Sequence, residues 1–317
     1  MPTNKSISYF FTYKSTIKGR WEKRSILDVM SDEFHARTRK YYEDAIFYGA
    51  IKVNGQKVHP DYILSPNDIL EHTVHIHEPM PGPIEIIAEE NDYLVINKSA
   101  GMPCHPTTEY NHYSITRIIE NQYNHKKLAC INRLDVPTSG ILIVAFNNYE
   151  YYHSLMRDRN VKKIYIAKVE GKFPEEISVD GKIKNMAGKY NIIAEDGKAS
   201  LTIFQRISYN GNYSIVECHP MTGRSHQIRV HLQSIGFPIV NDYLYGSGIT
   251  CKEEFQKCDF NDFKGDNEME KFVIANCKGE NNRAFRNKNS FLCLHAYKYY
   301  FNGKEYVAPL PDWAFIE

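Results

Sequence analysis

Two charged residues in the middle of the chain are followed by a turn and then by an unbroken apolar run. Arg133 and Asp135 belong to the segment 132–146, NRLDVPTSGILIVAF. The apolar residues 141–146 predict a short strand buried on both faces, and the Pro-Thr-Ser-Gly sequence at 137–140 predicts a turn before it. A buried strand would hold that loop in place, and binding and catalytic groups are often found on such loops. An isolated Arg-x-Asp pair is more often structural, so other motifs must decide its role.

Two later segments combine reactive side chains with a regular pattern. Residues 163–171, KIYIAKVEG, predict a strand from their β-branched and aromatic content, with Tyr165 near its start. Residues 222–232, TGRSHQIRVHL, predict the start of a helix that ends at Gly236. Taken singly, an aromatic residue on a strand usually belongs to the core, and a basic helix face is usually solvated.

In this order the three segments resemble the motifs HRLDxxTSG, KxYxAxVxG and GR(T/S)HQIRVHL of the pseudouridine synthases related to the bacterial large-subunit ribosomal RNA enzymes. Asn132 departs from the histidine of the bacterial motif but agrees with the eukaryotic branch of the family. Three ordered motifs are far more specific than any one of them. The resemblance runs from Trp21 to Trp313 and implies an α+β pseudouridine synthase fold. Such a fold has a mixed, mainly antiparallel sheet with a central cleft, preceded by a small helical RNA-binding module.

The resemblance also implies roles for individual residues. Asp135 matches the catalytic aspartate, Tyr165 the tyrosine that stacks on the target uracil, and Arg224 the arginine that pairs with the aspartate. A guanidinium close to a carboxylate favours its charged form. Arg133 would fill the space that the flipped target base leaves. The substrate-binding residues implied by the motifs are Arg133, Lys163, Thr138, His226, Gln227 and Arg229.

The front of the chain predicts a separate basic module. Residues 1–60 hold eleven Lys and Arg against six Asp and Glu, a balance that suits contact with a polyanion. Apolar residues at helical spacing between Ser25 and Ile51 predict two helices, the second ending at Gly49, and residues 51–58 predict a tight hairpin. The alternative interpretation is a solvated charged face, which the downstream motifs make the weaker one.

Composition changes suggest where the domains divide. A proline-rich stretch at residues 79–83 is typical of a linker, so we predict an N-terminal extension and RNA-binding module over residues 1–80. The catalytic domain is predicted over residues 84–317. Within it, residues 247–282 carry five Lys against eight Asp and Glu without sustained periodicity, which predicts an acidic insertion loop.

Whole-chain properties restrict the class of protein. The chain of 317 residues, with 42% hydrophobic and 24% charged residues, is typical of a globular protein and contains no apolar stretch long enough for a membrane span. Its seven cysteines, an odd number without paired spacing, predict reduced thiols inside a cell. We expect a cytoplasmic or nuclear location, with the mitochondrion as an alternative.

A metal site and a cofactor are not expected from the sequence. Alternation places His75 and His77 on the same side of a strand, but no Cys, Asp or further His follows at ligand spacing, so a strand or linker contact is the favoured role. Cys251, Cys258, Cys277 and Cys293 contain no CxxC pair. Isomerising a nucleoside needs no electron carrier, so no small-molecule cofactor is predicted.

The sequence therefore predicts a monomeric enzyme that isomerises specific uridines to pseudouridine in RNA. The eukaryotic branch includes enzymes acting on the anticodon stem-loop, which favours tRNA over rRNA or mRNA. Asp135 could add to the base or to the sugar, and both routes stay open. A catalytically silent RNA-binding or RNA-assembly protein is the main alternative, but it would be expected to lack Asp135 or Tyr165. An RNA hydrolase or deaminase would need a metal cluster, or HxE with CxxC.

Overall fold

The computed structural model describes residues 7–78, 81–107, 110–123, 128–158, 161–186, 190–246, 265–277 and 291–316. The chain divides into two compact units. The first comprises Met1–Met80 and Phe255–Phe285, and the second comprises Pro81–Glu254 and Arg286–Glu317. No described helix is both long and apolar enough to cross a membrane.

The first unit is a small α+β module. Its three-stranded sheet has the order β1-β3-β2, and all its pairs are antiparallel. The strands and helices are β1 (Ile7–Thr16), α1 (Ile26–Glu33), α2 (Arg39–Tyr48), β2 (Ile51–Val53), β3 (Ile69–Glu78) and α6 (Glu268–Ala275), with a short 3-10 helix at Gly19–Trp21. Buried apolar side chains of α1, α2 and β2 form one core around Trp21.

Local signals explain where the helices of this unit begin and end. The Ser25 hydroxyl accepts a hydrogen bond from the backbone N–H of Asp28, and the Thr38 hydroxyl accepts one from Tyr41, so both helices are capped at the start. Gly49 ends α2 in the left-handed conformation at φ +77°, as predicted.

The predicted hairpin is only partly correct. A tight turn at Asn54-Gly55 is closed by backbone hydrogen bonds between Val53 and Gln56. No second strand follows directly, because β2 pairs with β3 and the backbone N–H of Ile69 donates to Asn54 Oδ1. Strand β1 was not predicted, since its mixture of polar and aromatic residues resembles neither a strict alternation nor a buried run.

The described part of the predicted insertion loop belongs to the first unit, which corrects its assignment to the catalytic domain. Helix α6 places Val273 in the core of that unit and packs Phe272 against the rings of Tyr41 and Tyr48, at centroid distances of 5.6 and 5.0 Å. Apolar residues at helical spacing within an acidic segment account for this packing. The rest of segment 247–282 lies outside the described residues.

The second unit is built on one eleven-stranded sheet with the order β10-β9-β11-β12-β8-β13-β7-β5-β4, to which β14 adds beside β13 and β6 beside β7. In the described part of the chain its pairings are antiparallel except that of β13 with β7. Its strands are β4 (Ile84–Glu89), β5 (Tyr93–Lys98), β6 (Ala129–Cys130), β7 (Ser139–Ala145), β8 (Lys162–Glu170), β9 (Glu176–Met186), β10 (Tyr190–Ile193), β11 (Lys198–Tyr209), β12 (Tyr213–Pro220), β13 (Leu294–Phe301) and β14 (Lys304–Val307). Its helices are α3 (Ile115–Tyr123), α4 (Tyr149–Arg157) and α5 (Gln227–Ser234), with a 3-10 helix at Asp312–Ala314.

The centre of this sheet carries the loop that holds Asp135. Residues 140–145 of β7 are buried, as the apolar run predicted. Gly140 has φ +105°, and a Cβ there would lie 2.3 Å from the carbonyl oxygen of Ala296 on β13. The glycine of the Thr-Ser-Gly motif is therefore required by the close approach of β7 and β13.

Candidate active site

Asp135 lies in a short loop between β6 and β7. The backbone N–H of Thr138 donates to the carbonyl oxygen of Asp135 at 3.1 Å, which closes the turn. Leu134 is buried, whereas the Asp135 side chain keeps 27% of its surface exposed. The sheet thus anchors the loop on both sides and leaves the carboxylate accessible from solvent.

Asp135 is the outer member of a carboxylate–guanidinium–carboxylate arrangement. Nη1 of Arg229 donates to Asp135 Oδ2 at 2.8 Å, and Nε and Nη2 donate to the two oxygens of Asp242 at 2.7 and 2.8 Å. Burial lowers the pKa of Arg229, but the hydrogen bonds and charge of Asp242 outweigh this effect and raise it. Arg229 is 2% exposed and Asp242 fully buried, so the pair is a rigid support for the Asp135 carboxylate.

The prediction that Arg224 pairs with Asp135 is wrong. Arg224 is exposed in the loop before α5, and its Nε donates to the carbonyl oxygen of Ala199 at 3.1 Å. Arg229 lies inside α5 on the face packed against the sheet, which directs its side chain to the carboxylates. The same geometry corrects the prediction that Arg229 contacts substrate.

Two other residues predicted to contact substrate, Gln227 and Thr138, are buried. Gln227 is buried, and its Oε1 accepts hydrogen bonds from Thr222 Oγ1 and the Arg224 N–H. Its Nε2 donates to Leu201 O and Thr202 Oγ1, so the amide is fully used within the protein. Thr138 is 2% exposed and contributes its backbone to the turn.

Tyr165 takes part in a buried hydrogen-bond chain that the motifs did not indicate. Its hydroxyl lies 2.5 Å from the hydroxyl of Tyr299 on β13, and Asn132 Nδ2 lies 3.4 Å from the same Tyr299 oxygen. Asn132 also bridges to β7, donating to Ile141 O and accepting from the Ile143 N–H. Burial raises the pKa of Tyr165 to about 12, so its phenol is neutral near pH 7.

His226 lies near the same oxygen of Asp135 that accepts from Arg229. This residue precedes α5 in a left-handed conformation with φ +55°, which turns its ring toward the loop. Its Nδ1 lies 2.9 Å from the Tyr245 hydroxyl, and its Nε2 lies 3.7 Å from Asp135 Oδ2. Burial lowers the pKa of His226, although the charge of Asp135 opposes that shift, so a neutral ring is favoured near pH 7.

The remaining predicted residues have some access to solvent. Arg133 is exposed and lines a cavity of about 380 Å³ together with His105, Thr116 and Arg117. Lys163 on β8 is half-buried, with its ammonium 5.9 Å from the centre of the Tyr299 ring, and burial lowers the pKa of Lys163. These two cations are therefore available near the Asp135 loop and the Tyr165 chain, respectively.

A buried lysine fixes the other end of the Asp135 loop. The Lys98 ammonium donates to three backbone carbonyl oxygens, those of Ser99, Met102 and Val136, at 2.9, 2.8 and 3.1 Å. Burial lowers the pKa of Lys98 to about 8. Because Val136 directly follows Asp135, Lys98 ties the Asp135 loop to the segment 99–102.

Sequence reasoning missed two residues that contact the site, Asp242 and Tyr299. Asp242 lies in residues 236–246, GFPIVNDYLYG, which resemble a further family pattern, GxPIxxDxxYG, so its aspartate position was a usable signal. Tyr299 lies in a strand rich in tyrosine, where no spacing distinguishes it from its neighbours. Its place beside Tyr165 follows from the pairing of β13 with β8.

Comparison with known proteins agrees with this geometry. Residues 92–234 match the family model described as RNA pseudouridylate synthase, and residues 24–70 match the S4 domain model. RNA pseudouridine synthase 7 of Arabidopsis thaliana is 36% identical over 96% of this chain and 85% of its own length. The chain belongs to the RNA pseudouridine synthase family. The α+β fold with a mixed sheet and a front RNA-binding module is thereby confirmed.

Other members of the RNA pseudouridine synthase family match with lower coverage. Human pseudouridylate synthase RPUSD2 is 41% identical over 75% of this chain, which spans 45% of the human protein. The tRNA pseudouridine(32) synthase, mitochondrial, of Saccharomyces cerevisiae is 38% identical over 78% of this chain and 55% of its own length. The solved structure of human RNA pseudouridylate synthase domain containing 1 shares the fold, with a TM-score of 0.52, 21% identity, and coverage of 73% and 86% of the two chains.

Proposed function

We propose that this protein converts uridine to pseudouridine in RNA, with Asp135 as the nucleophile. One observation carries the proposal. Asp135 lies on the loop of the first family motif, and its carboxylate accepts a 2.8 Å hydrogen bond from Arg229, which is itself anchored by Asp242. The reaction breaks the bond from ring nitrogen 1 to the ribose, rotates the base, and joins ring carbon 5 to the same sugar carbon. One nucleoside supplies every atom, apart from the proton that leaves carbon 5 and the one that ring nitrogen 1 gains.

The surrounding residues take complementary roles in this proposal. Arg229 holds the carboxylate in a fixed orientation, which an attacking oxygen needs. Tyr165 stacks on the target ring, and its hydroxyl, fixed by Tyr299, is the candidate to assist proton removal from carbon 5. Because the pKa of Tyr165 is about 12, the phenol needs a second group to accept that proton.

Access to the reacting atoms requires the target base to leave its stack. Arg133 is exposed two residues before Asp135 and lines the cavity of about 380 Å³, so it is placed to occupy the vacated space. His105 and Arg117, on the same cavity wall, would then face a neighbouring part of the nucleic acid. Their donors suit phosphate or base edges.

We propose tRNA, in its anticodon stem-loop, as the substrate. The S4 match over residues 24–70 and the name of the yeast relative support this choice. Among the basic residues of the first unit, Arg39 pairs with Asp28 and Lys40 pairs with Asp44. Lys57 is exposed and appears in no such ion pair among the described residues, so it is the better candidate for a phosphate contact. A monomer in the cytoplasm or nucleus completes the proposal, and the name of the yeast relative keeps the mitochondrion as the alternative.

Replacing Asp135 by asparagine tests the chemistry. Asp135→Asn removes the nucleophilic charge with little change of volume, so single-turnover pseudouridine formation on a tRNA stem-loop should fall at least ~1000-fold. Binding of the same RNA should change little. Asp158→Asn, on a side chain that is 58% exposed, is the matched control and should keep wild-type turnover.

The possible outcomes test the catalytic activity and the identity of the RNA substrate separately. Wild-type turnover by Asp135→Asn would refute the nucleophile. A wild-type protein that binds RNA without forming product would support the silent RNA-binding alternative. Mapping pseudouridine in cells that lack the protein then identifies the substrate, because missing sites in rRNA or mRNA would move the target away from tRNA.

A further inference from the structure

Two histidines of β3 and a cysteine that follows α6 lie together inside the first unit. His75 and His77 project from the same side of β3, and their rings are 4.5 Å apart between centroids. Cys277 comes two residues after the last residue of α6, and its thiol donates to the backbone carbonyl of His75 at 3.0 Å. One potential ligand atom from each of the three residues lies within 4.8 Å of the others. About 200 residues of chain separate the histidines from the cysteine, so the cluster is a product of folding.

We propose that His75, His77 and Cys277 bind a thiophilic divalent metal ion, Zn²⁺ first among them, as a clamp between β3 and the end of α6. Two imidazoles and a thiolate are a ligand set that zinc favours. The expectation of no metal rested on the lack of a cysteine at ligand spacing, and the fold supplies that cysteine from a distant segment.

The distances fit such a site after a small closure. With Zn–N near 2.0–2.1 Å and Zn–S near 2.3 Å, ligand atoms of a tetrahedral site lie roughly 3.3–3.6 Å apart. The three side chains would therefore close by about 1 Å from their present spread. Three protein ligands leave one tetrahedral position, which a water molecule can fill.

The two histidines of the cluster are shielded from solvent, since His75 and His77 are 7% and 9% exposed. Zinc binds neutral imidazole and thiolate, so the Cys277 thiol would lose its proton as the Zn–S bond forms. Metal binding would therefore release one proton.

Other parts of the first unit fit a clamp at this place. Val273, Met269 and Phe272 already pack α6 on the core of the unit, and the cysteine lies at the exit of the helix. Phe10 of β1 covers His75 with ring centroids 5.0 Å apart. A bound ion would fix the C-terminal end of α6, beyond the residues of the helix that pack on the core.

Metal content of the purified full-length protein tests the site. Protein prepared with a phosphine reductant, loaded with Zn²⁺ and desalted should retain about one zinc per chain by mass spectrometry of the metal. Cys277→Ser and His77→Gln should each retain less than about a tenth of that amount. His59→Gln, an exposed histidine of the same unit, is the matched control and should bind as the wild type does.

Two measurements on the unaltered chain keep the test independent of misfolded variants. Co²⁺ should produce a thiolate-to-cobalt charge-transfer band that Zn²⁺ abolishes, and Zn²⁺ should slow alkylation of Cys277 at least about tenfold, as mapped by peptide mass spectrometry. Wild-type protein without zinc or a cobalt–thiolate band would overturn the proposal. Equal zinc in wild type, Cys277→Ser and His77→Gln would do the same, because the metal would then lie elsewhere.

Discussion

At the scale of single residues, Arg229 and Arg224 differ by their burial. Arg229→Ala would leave the fully buried Asp242 without its bidentate partner, and a stranded buried charge typically costs about 3–5 kcal/mol. Arg224→Ala removes an exposed side chain and should change the free energy of unfolding by no more than ~0.5 kcal/mol. Urea unfolding of both variants measures the difference.

Activity measurements extend the same comparison. Arg229→Lys keeps a charge but cannot bridge both carboxylates, so it should lose most turnover while folding better than Arg229→Ala. If Arg224→Ala lost more stability than Arg229→Ala, the buried pair of Arg229 and Asp242 would not be the support of Asp135.

The hydroxyl of Tyr299 offers a second prediction at this scale. Tyr299→Phe removes the hydrogen-bond partner of Tyr165 and should lower single-turnover rate about tenfold, with a stability loss near ~1 kcal/mol. Tyr306→Phe is the matched control for Tyr299→Phe, because it also breaks a hydrogen bond between two tyrosine hydroxyls of the same sheet, the 2.8 Å bond between Tyr306 and Tyr93. Similar stability losses with an activity loss only in Tyr299→Phe would identify a positioning residue. Equal rates in both variants would argue that Tyr165 needs no such partner.

At the scale of elements, α5 depends on a neutral histidine. His231 is fully buried, with Nε2 2.9 Å from Ser200 Oγ and Nδ1 2.9 Å from Thr202 Oγ1 on β11. Burial lowers the pKa of His231 to about 4, below the value of about 6.5 expected in the unfolded chain. Between these values the unfolded chain binds more protons, so stability falls as pH falls from about 6.5 toward 4.

This pH dependence can be assigned by substitution. His231→Asn should remove a slope of up to about 1.4 kcal/mol per pH unit from the free energy of unfolding in that range. His105→Asn, at an exposed position of the same unit, is the matched control. The measurement is chemical unfolding at a series of pH values, and an unchanged slope in His231→Asn would contradict the assignment.

Elements governed by local signals were predictable, whereas their contacts were not. The helices α1 and α2 and the buried strand β7 all follow from spacing and turn residues. The choice between Arg224 and Arg229 depends on which face of α5 meets the sheet, and both arginines fit the sequence pattern. The approach of Cys277 to His75 depends on packing between distant segments, which no local pattern records.

At the scale of the whole molecule, the first unit is formed by two separate segments of the chain, so removing it requires the deletion of both. Deleting residues 1–80 alone would expose the apolar side of α6, including Val273 and Phe272, and should produce an aggregation-prone protein. Deleting residues 255–285 as well, with a short glycine-serine linker in their place, should restore a monodisperse second unit.

The two deletions also report on RNA binding. The double deletion should bind the stem-loop more weakly, and the slope of log affinity against log salt should become shallower by about 0.7–0.9 for each phosphate that the protein no longer neutralises. Light scattering and titrations at several salt concentrations measure both effects. A soluble, cooperatively folding protein after deletion of residues 1–80 alone would show that α6 does not depend on the front unit.

The position of β13 has a consequence for synthesis on the ribosome. This strand lies between β8 and β7, yet only β14 of the same sheet follows it in the chain. A growing polypeptide would therefore carry two half-sheets, β4 to β7 and β8 to β12, whose facing edges stay open until β13 emerges. Open edges invite pairing with other chains, so nascent copies should depend on chaperones until β13 has left the ribosome, and chains that stop before β13 should aggregate.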